Sequence, residues 1–380
     1  ADASKSWYNY CDKIWANAVI LEDGANYKTG DIIQESDIES YFVWIPKYKY
    51  KLWNTGTASE GVHAIDIVFD ETDTTDVEEV SCKTPMISGE TGNCDNGEYM
   101  THPAFISMGV NGFWVGKFET GYKGATSTAS AQVNTNDTSK IIIKPNVYSW
   151  RYITAYNSFV TSFNYQRELD SHMMKNTEWG AVAYLSHSKY GINREININN
   201  NSSYKTGYSA LPSTNQQTYP GTSGDGDAAN KPYNTKIGYL ASTTGNISGI
   251  YDMSGGAWDL TASYSDNYYG ASGFSTSNIT EYDKKYFDIY PSNSSTSTYQ
   301  YRILGDATGE MGPTSYYTDL SNISAYHSNW YSDISNFVDT NGWVYRGGNN
   351  SCGVTAGIFH STPDSGNAFA YDGFRIVLAP

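Results

Sequence analysis

WVYRGGNNSC (residues 343–352) carries an aromatic strand, Trp343-Val344-Tyr345, through an arginine into two adjacent glycines. Glycines there mark backbone that approaches a neighbour closely or turns through positive φ, where a Cβ would obstruct it. Gly373, within TPDSGNAFAYDGFRIVL (362–378), has the same reading. Arg346 and Arg375 are two of the chain's six arginines, and both fall in these closing strands. Charged groups near a core are normally paired, so both are read as structural, bonded to carboxylates or carbonyls across a sheet. Trp343 is read as core, as is Trp258 in GIYDMSGGAWDL (249–260).

Working outward, residues from 236 to the end alternate short strands with turns. Between 149 and 188 the period changes: SWRYITAYNSFVTSF and NTEWGAVAYLSHSKY space apolar residues three and four apart, predicting the two main helices. Asn176 or Thr177 is the expected N-cap of the second. Residues 189–235 are rich in Asn, Ser, Gly and Thr, which suggests an ordered functional loop or a mobile one. Nearer the start, YFVWIPKYKYKLW (41–53) and AIDIVF (64–69) are strands, 70–100 an acidic insertion, and ISMGVNGFWVGKFETGY (106–122) a turn and a strand. Trp7, Ile14 and Trp15 stand at helical spacing in an N-terminal segment, 1–38, expected to be a docking or anchoring helix. Residues 39–380 are expected to form a single domain. Two helices among many short strands make the class α+β.

Composition narrows the function. The 380 residues include 24 basic and 40 acidic side chains, a net charge of −16 that would repel a phosphate backbone, so nucleic-acid binding is not expected. Charged residues are only 17%, against roughly 25% in an average protein, while tyrosines number 34. Polarity drawn from hydroxyls and amides suits an extracellular or cell-surface setting. No apolar run approaches the roughly 18 residues of a membrane span. Of the four cysteines, Cys82 and Cys94 close a short turn-rich loop and are the expected disulfide, with Cys11–Cys352 a weaker pairing. No CxxC spacing favours zinc.

GIYDMSGGAWDL, WVYRGGNNSC and TPDSGNAFAYDGFRIVL, in that order, resemble three segments of the formylglycine-generating-enzyme (sulfatase-modifying factor) domain, a C-type-lectin-like fold. FVWIP (42–46), HPAF with GFWVGKFET (102–105, 112–120) and MKNTEWGAVAYLS (174–186) are similar to its upstream elements. The family's oxidase binds copper and the substrate thiol with two cysteines a few residues apart, as a soft metal and thiol exchange require. Cys352 stands at the first position and no cysteine follows it, although STPDS (361–365) resembles the enzyme's substrate groove. Calcium-binding members imply Asp252 and Asp259 side chains with Gly255 and Ala257 carbonyls as ligands, an oxygen-only set suited to a hard cation. The other reading of those residues has Asp252 capping a turn and Asp259 meeting an arginine. HExxH, GxSxG, P-loop and GxGxxG patterns are all lacking.

The resemblance is strongest to non-catalytic members, including the variable proteins of diversity-generating retroelements. It implies a ligand face near the C-terminus comprising Tyr345, Asn349, Asn350, Ser351, Val354, Thr355, His360, Ser361, Asn367, Phe369, Tyr371 and Asp372. Tyr, Ser and Asn are the residues of antibody-type contact surfaces. The expected function is recognition or adhesion without catalysis, toward an extracellular protein or a glycan. The alternatives are a formylglycine-generating-type thiol oxidase and a structural pilus or shell subunit.

Overall fold

The computed structural model describes residues 7–51, 62, 64–69, 99–211, 230–290, 305–308, 330–334 and 342–380. These form an α+β structure with few helices and many short strands in small sheets. Almost all of the acidic insertion lies outside the described residues, as do Cys82 and Cys94.

One sheet runs in the order β1 (Asn17–Leu21), β2 (Ile38–Pro46), β6 (Gly112–Gly116), β17 (Ile376–Leu378) and β9 (His172–Met173). A second runs β13 (Asp288–Tyr290), β12 (Trp258–Ser265), β14 (Trp343–Gly347), β15 (Gly357–Asp364), with β16 (Asp372–Phe374) parallel to the start of β12. A third joins β4 (Asp66–Phe69), β3 (Tyr48–Lys51) and β5 (Tyr99–Thr101). Two small ribbons pair β7 (Gly121–Tyr122) with β8 (Ile141–Ile142), and β10 (Tyr208–Ser209) with β11 (Lys231–Pro232). The chain from 41 to 53 is thus two strands, β2 ending at Pro46 because proline has no N–H for the ladder. Tyr48 and Tyr50 turn into the core while Lys49 and Lys51 stay partly wet, the alternation of a half-buried strand.

Among the described residues, the expected N-terminal helix is absent. Residues 10–12 make a single 3₁₀ turn, Trp15 is buried in the main core, and β1 pairs along β2 from Asn17 to Leu21. Strand-favouring Val19 and Ile20 explain the difference, since burial on a sheet edge outweighs a short helical spacing. Sequence spacing also missed α1 (Pro103–Met108), which has Pro103 at its first turn and Gly109 in the left-handed region at its end. Both expected helices are present, α2 (Ala155–Tyr165) and α3 (Asn176–Ser186), with a further one-turn helix at Thr276–Ile279. Thr154 caps α2 through the Asn157 N–H. The N-cap of α3 is Lys175 rather than Asn176 or Thr177: the Glu178 carboxylate reaches back to accept its N–H at 2.8 Å.

Every residue of α3 is buried, against α1 and β12. The described residues of the asparagine-rich stretch after it, 189–211 and 230–235, are largely interior. Asn197, Asn199 and Asn201 are buried, and the Asn199 amide donates to Asp252 and to the Lys205 carbonyl. Side-chain amides here satisfy backbone and carboxylate groups that regular structure would otherwise pair.

Candidate binding face

β14 lies between β12 and β15 and sorts its side chains by alternation. Arg346 points to the α3 side, where it donates to Asn176 Oδ1 and to the carbonyls of Asp306, Ala307 and Ile358. Its neighbour Tyr345 therefore faces the opposite way. Asp259 stands across from Arg346 and also points inward, so Trp258 turns outward with Tyr345. Asp372 is paired in register with Trp258 and shares its face. His360 completes the group, its ring edge-on to Trp258 with centroids 4.5 Å apart.

The floor of this face is polar and incompletely bonded. Burial pushes His360 down to about 3, so the imidazole is neutral. Its Nδ1 donates to the Thr355 carbonyl at 2.5 Å, which leaves Nε2 a bare acceptor without a partner. Burial pushes the Asp372 carboxyl up to about 8, helped by the nearby Asp364 charge and opposed by the Tyr345 hydroxyl. Asp372 Oδ2 is buried and has no hydrogen-bond partner. The Tyr345 hydroxyl is close enough to stabilise the carboxylate without forming a well-shaped bond to it.

The other predicted residues are more exposed. Phe369 and Tyr371 stack face to face, centroids 5.6 Å apart, and Tyr371 is 41% exposed. The loop of Asn349, Asn350 and Ser351 is held by Asn349 Oδ1, which accepts from the Ser351 N–H and hydroxyl. The Asn350 amide donates to the Asn201 carbonyl at 2.9 Å. Val354 and Thr355 sit on the 3₁₀ turn Gly353–Thr355, with Val354 53% exposed. Asn367 accepts from the Ala368 N–H.

Most of the predicted residues lie on or between β14, β15 and β16, and the structure sorts them as follows. Ser361 is buried and in register with Arg346, so it lies on the α3 side and leaves the set. Tyr345, His360 and Asp372 are interior rather than freely variable surface. Trp258 is half-buried: it packs against the margin of the main core, as expected, and also turns to this face. Its position was available from the sequence, because an inward Asp259 sends its strand neighbour outward. Tyr204 and Arg151 carried no such signal. Arg151 stacks over the Tyr204 ring at 3.8 Å, and the Tyr204 hydroxyl is raised by burial and by charge on Asp372 and Cys352.

Beneath the face lies the segment that resembles a calcium loop. Arg375 is fully buried and donates to Asp259 Oδ2 at 2.9 and 3.1 Å, to the Gly116 carbonyl at 2.8 Å and to the Asp252 carbonyl at 3.2 Å. Asp252 Oδ1 accepts from the Asn199 amide at 2.9 Å and the Gly207 N–H at 2.8 Å. Glu119 accepts from the Ala257 N–H at 2.9 Å and bonds the Ser149 hydroxyl. Burial first, then the charges of Asp259 and Asp252, hold Glu119 well above its ordinary value. A guanidinium bonded to Asp259 beside an Asp252 already saturated by N–H donors does not fit a calcium ion. Among the described residues, no group of three or more His, Cys, Asp and Glu side chains is arranged to hold a metal.

Cys11 and Cys352 are both free, so the pairing between them does not form. Cys11 is exposed and lines a cavity of about 610 Å³ with Tyr8, Tyr10, Trp44 and Tyr190. Cys352 is partly buried, and desolvation pushes its thiol up. Among the described residues, no helix is long and apolar enough to cross a membrane. No protein-family model matches the chain, and no curated protein matches it.

Proposed function

We propose that this chain is a non-catalytic recognition protein of C-type-lectin-like fold, related to the non-catalytic branch of the formylglycine-generating-enzyme domain. It binds an extracellular protein or glycan through the face built on Trp258, Tyr345, His360 and Asp372, as a surface or pilus adhesin or a phage receptor-binding protein would. The observation that carries this reading is the convergence of β12, β14, β15 and β16 on one patch. Two buried polar atoms there, Asp372 Oδ2 and His360 Nε2, have no hydrogen-bond partner, and the stacked pair Phe369 and Tyr371 leads into β16. A buried acceptor left unpaired costs about 1–3 kcal/mol, a penalty that a bound ligand's donors would relieve. A rigid sheet under adaptable Asn, Ser and Tyr side chains is the arrangement of a recognition surface.

The oxidase reading needs a reactive thiolate with a second thiol beside it. Burial raises the Cys352 thiol, the opposite of the activation that chemistry requires, and this supports the non-catalytic reading. The test is binding of the purified chain to arrays of glycans and of extracellular proteins, repeated with Trp258→Ala and Tyr371→Ala. Loss of the captured ligand in both variants supports the face. Full retention in both would sink it, and conversion of a cysteine-containing sulfatase peptide would favour the oxidase.

A further inference from the structure

We propose that Lys117 and Asn17 join covalently, the lysine nitrogen replacing the amide nitrogen of Asn17 in an isopeptide bond with loss of ammonia. The inference stands apart from the binding face and does not depend on it. Lys117 follows β6 and is buried, at 6% exposure. Its Nζ donates to Asn17 Oδ1 at 2.6 Å and to the Ile247 carbonyl at 2.6 Å. A carbonyl bond is about 1.2 Å long, so Asn17 Cγ lies within about 3.8 Å of that nitrogen.

Both groups are held in place from their other sides. Asn17 opens β1, and its Nδ2 donates to the Trp15 carbonyl at 2.9 Å and the Ser248 carbonyl at 2.8 Å. The segment before β1 is fastened to the same turn: the Trp15 N–H donates to Ser248 Oγ at 2.9 Å, and the Asn246 amide to the Lys13 carbonyl at 2.8 Å. The Lys117 N–H donates to the Tyr41 carbonyl, and the Lys117 carbonyl accepts from the Tyr251 N–H. Fixing two reactants in this way raises effective concentrations to about 10⁵–10⁸ M in intramolecular reactions, which offsets the poor reactivity of an amide.

Burial sets the state of the amine. Among the described residues, no carboxylate forms an ion pair with Lys117, and both its side-chain acceptors are neutral carbonyl oxygens. Desolvation pushes it down to about 7, so a substantial share is free amine at neutral pH. A desolvated lysine is an activated nucleophile, and one this enclosed meets only what the fold supplies. The Nζ lone pair adds to Asn17 Cγ, one Nζ proton passes to Nδ2, and the Cγ–Nδ2 bond breaks to release ammonia. No electron is gained or lost. Attack on the Ile247 carbonyl would cut the chain and leave the displaced amine tethered beside it, ready to return, whereas ammonia departs for good. The bond would cross β2 and lock the edge strand β1 to the end of β6.

The experiment is the intact mass of the full chain, reduced and denatured, followed by a tryptic map. The expected mass is about 17 Da below that of the sequence, the loss of one ammonia. Trypsin does not cut at an acylated lysine, so residues 14–28 and 84–123 are expected in one branched peptide, whose fragmentation places the link without any variant. Lys117→Arg and Asn17→Ala should each carry their full sequence mass. A wild-type chain of full mass that releases 14–28 as a separate peptide overturns the proposal. So does an ammonia loss located elsewhere, or one that persists in Lys117→Arg.

Discussion

Replacing Arg375 with methionine removes the one guanidinium that serves three buried carboxyls, those of Glu119, Asp252 and Asp259. Methionine fills much of the same volume, so the loss is chiefly electrostatic. Breaking a buried pair by removing one partner costs about 3–5 kcal/mol, because the surviving charge has no solvent. Proton uptake by Asp259 sets a ceiling: the roughly three pH units between its ordinary value of 3.8 and pH 7 amount to about 4 kcal/mol, and part of that is already present because burial raises Asp259 even beside Arg375. The sign with pH follows: the destabilisation is larger at pH 8 than at pH 5, where protonation relieves the unpaired carboxylates. Urea unfolding of wild type, Arg375→Met, Asp259→Asn and the double variant measures it. Asp259→Asn alone should cost less, since Arg375 keeps the Gly116 and Asp252 carbonyls and the field of Glu119. The double variant should fall short of the sum by at least about 1 kcal/mol, as directly bonded residues couple. A cost under about 1 kcal/mol for Arg375→Met, or additivity within about 0.5 kcal/mol, would refute this account.

Asp372→Asn should stabilise the ligand-free chain by about 1–2 kcal/mol at pH 7, part of the roughly 4 kcal/mol spent keeping the carboxyl neutral there. Its advantage should grow toward pH 8, and an unchanged unfolding midpoint at both pH values would contradict the burial argument. Glu195 is likewise raised by burial to about 8, and Asp333 well above its ordinary range, so the folded chain binds more protons than the unfolded one. Stability from these groups is present near pH 4 and lost as pH climbs toward 8, which a melting series across pH 5–8 checks. Gly357→Ala would bring a Cβ to 2.0 Å from Asp333 Oδ2, an overpacking expected to cost about 1–3 kcal/mol by urea titration. Calcium or EDTA should leave the melting temperature unchanged, and a rise of several degrees with calcium would restore the ion to the 252–259 loop.

Legibility in the sequence tracked how local each determinant is. α2 and α3 were readable because their spacing is intrinsic, and Gly347 and Gly348 because both indeed take positive φ, 81° and 74°. Gly348 also lies where a Cβ would press the Ala356 backbone at 2.9 Å. The N-terminal turn was misread because Trp15 is fixed by partners more than 170 residues away, its indole donating to the Tyr190 carbonyl. Ser361 was misassigned for a related reason: a segment resemblance says which stretch lines a face, while strand register says which alternate residue does. Arg151 and Tyr204 reach the site only through chain crossings that no local pattern encodes.

The two buried acid clusters differ in a way that bears on function. At Arg375 the fold supplies its own cation and saturates Asp252 with backbone and amide donors, so those carboxyls hold β12, β16 and the asparagine-rich stretch in register. At Asp372, on the opposite face of the same strands, burial is as deep, and among the described residues no lysine or arginine forms an ion pair with it. Sheet alternation puts Asp259 and Trp258 one residue apart and on different faces, so one strand carries both environments. A purely structural carboxyl at Asp372 would be expected to find a donor, as most buried polar atoms do. Asp372 Oδ2 and His360 Nε2 both lack a hydrogen-bond partner, and each adjoins Trp258, one in strand register and one ring to ring, on the face turned away from Arg375.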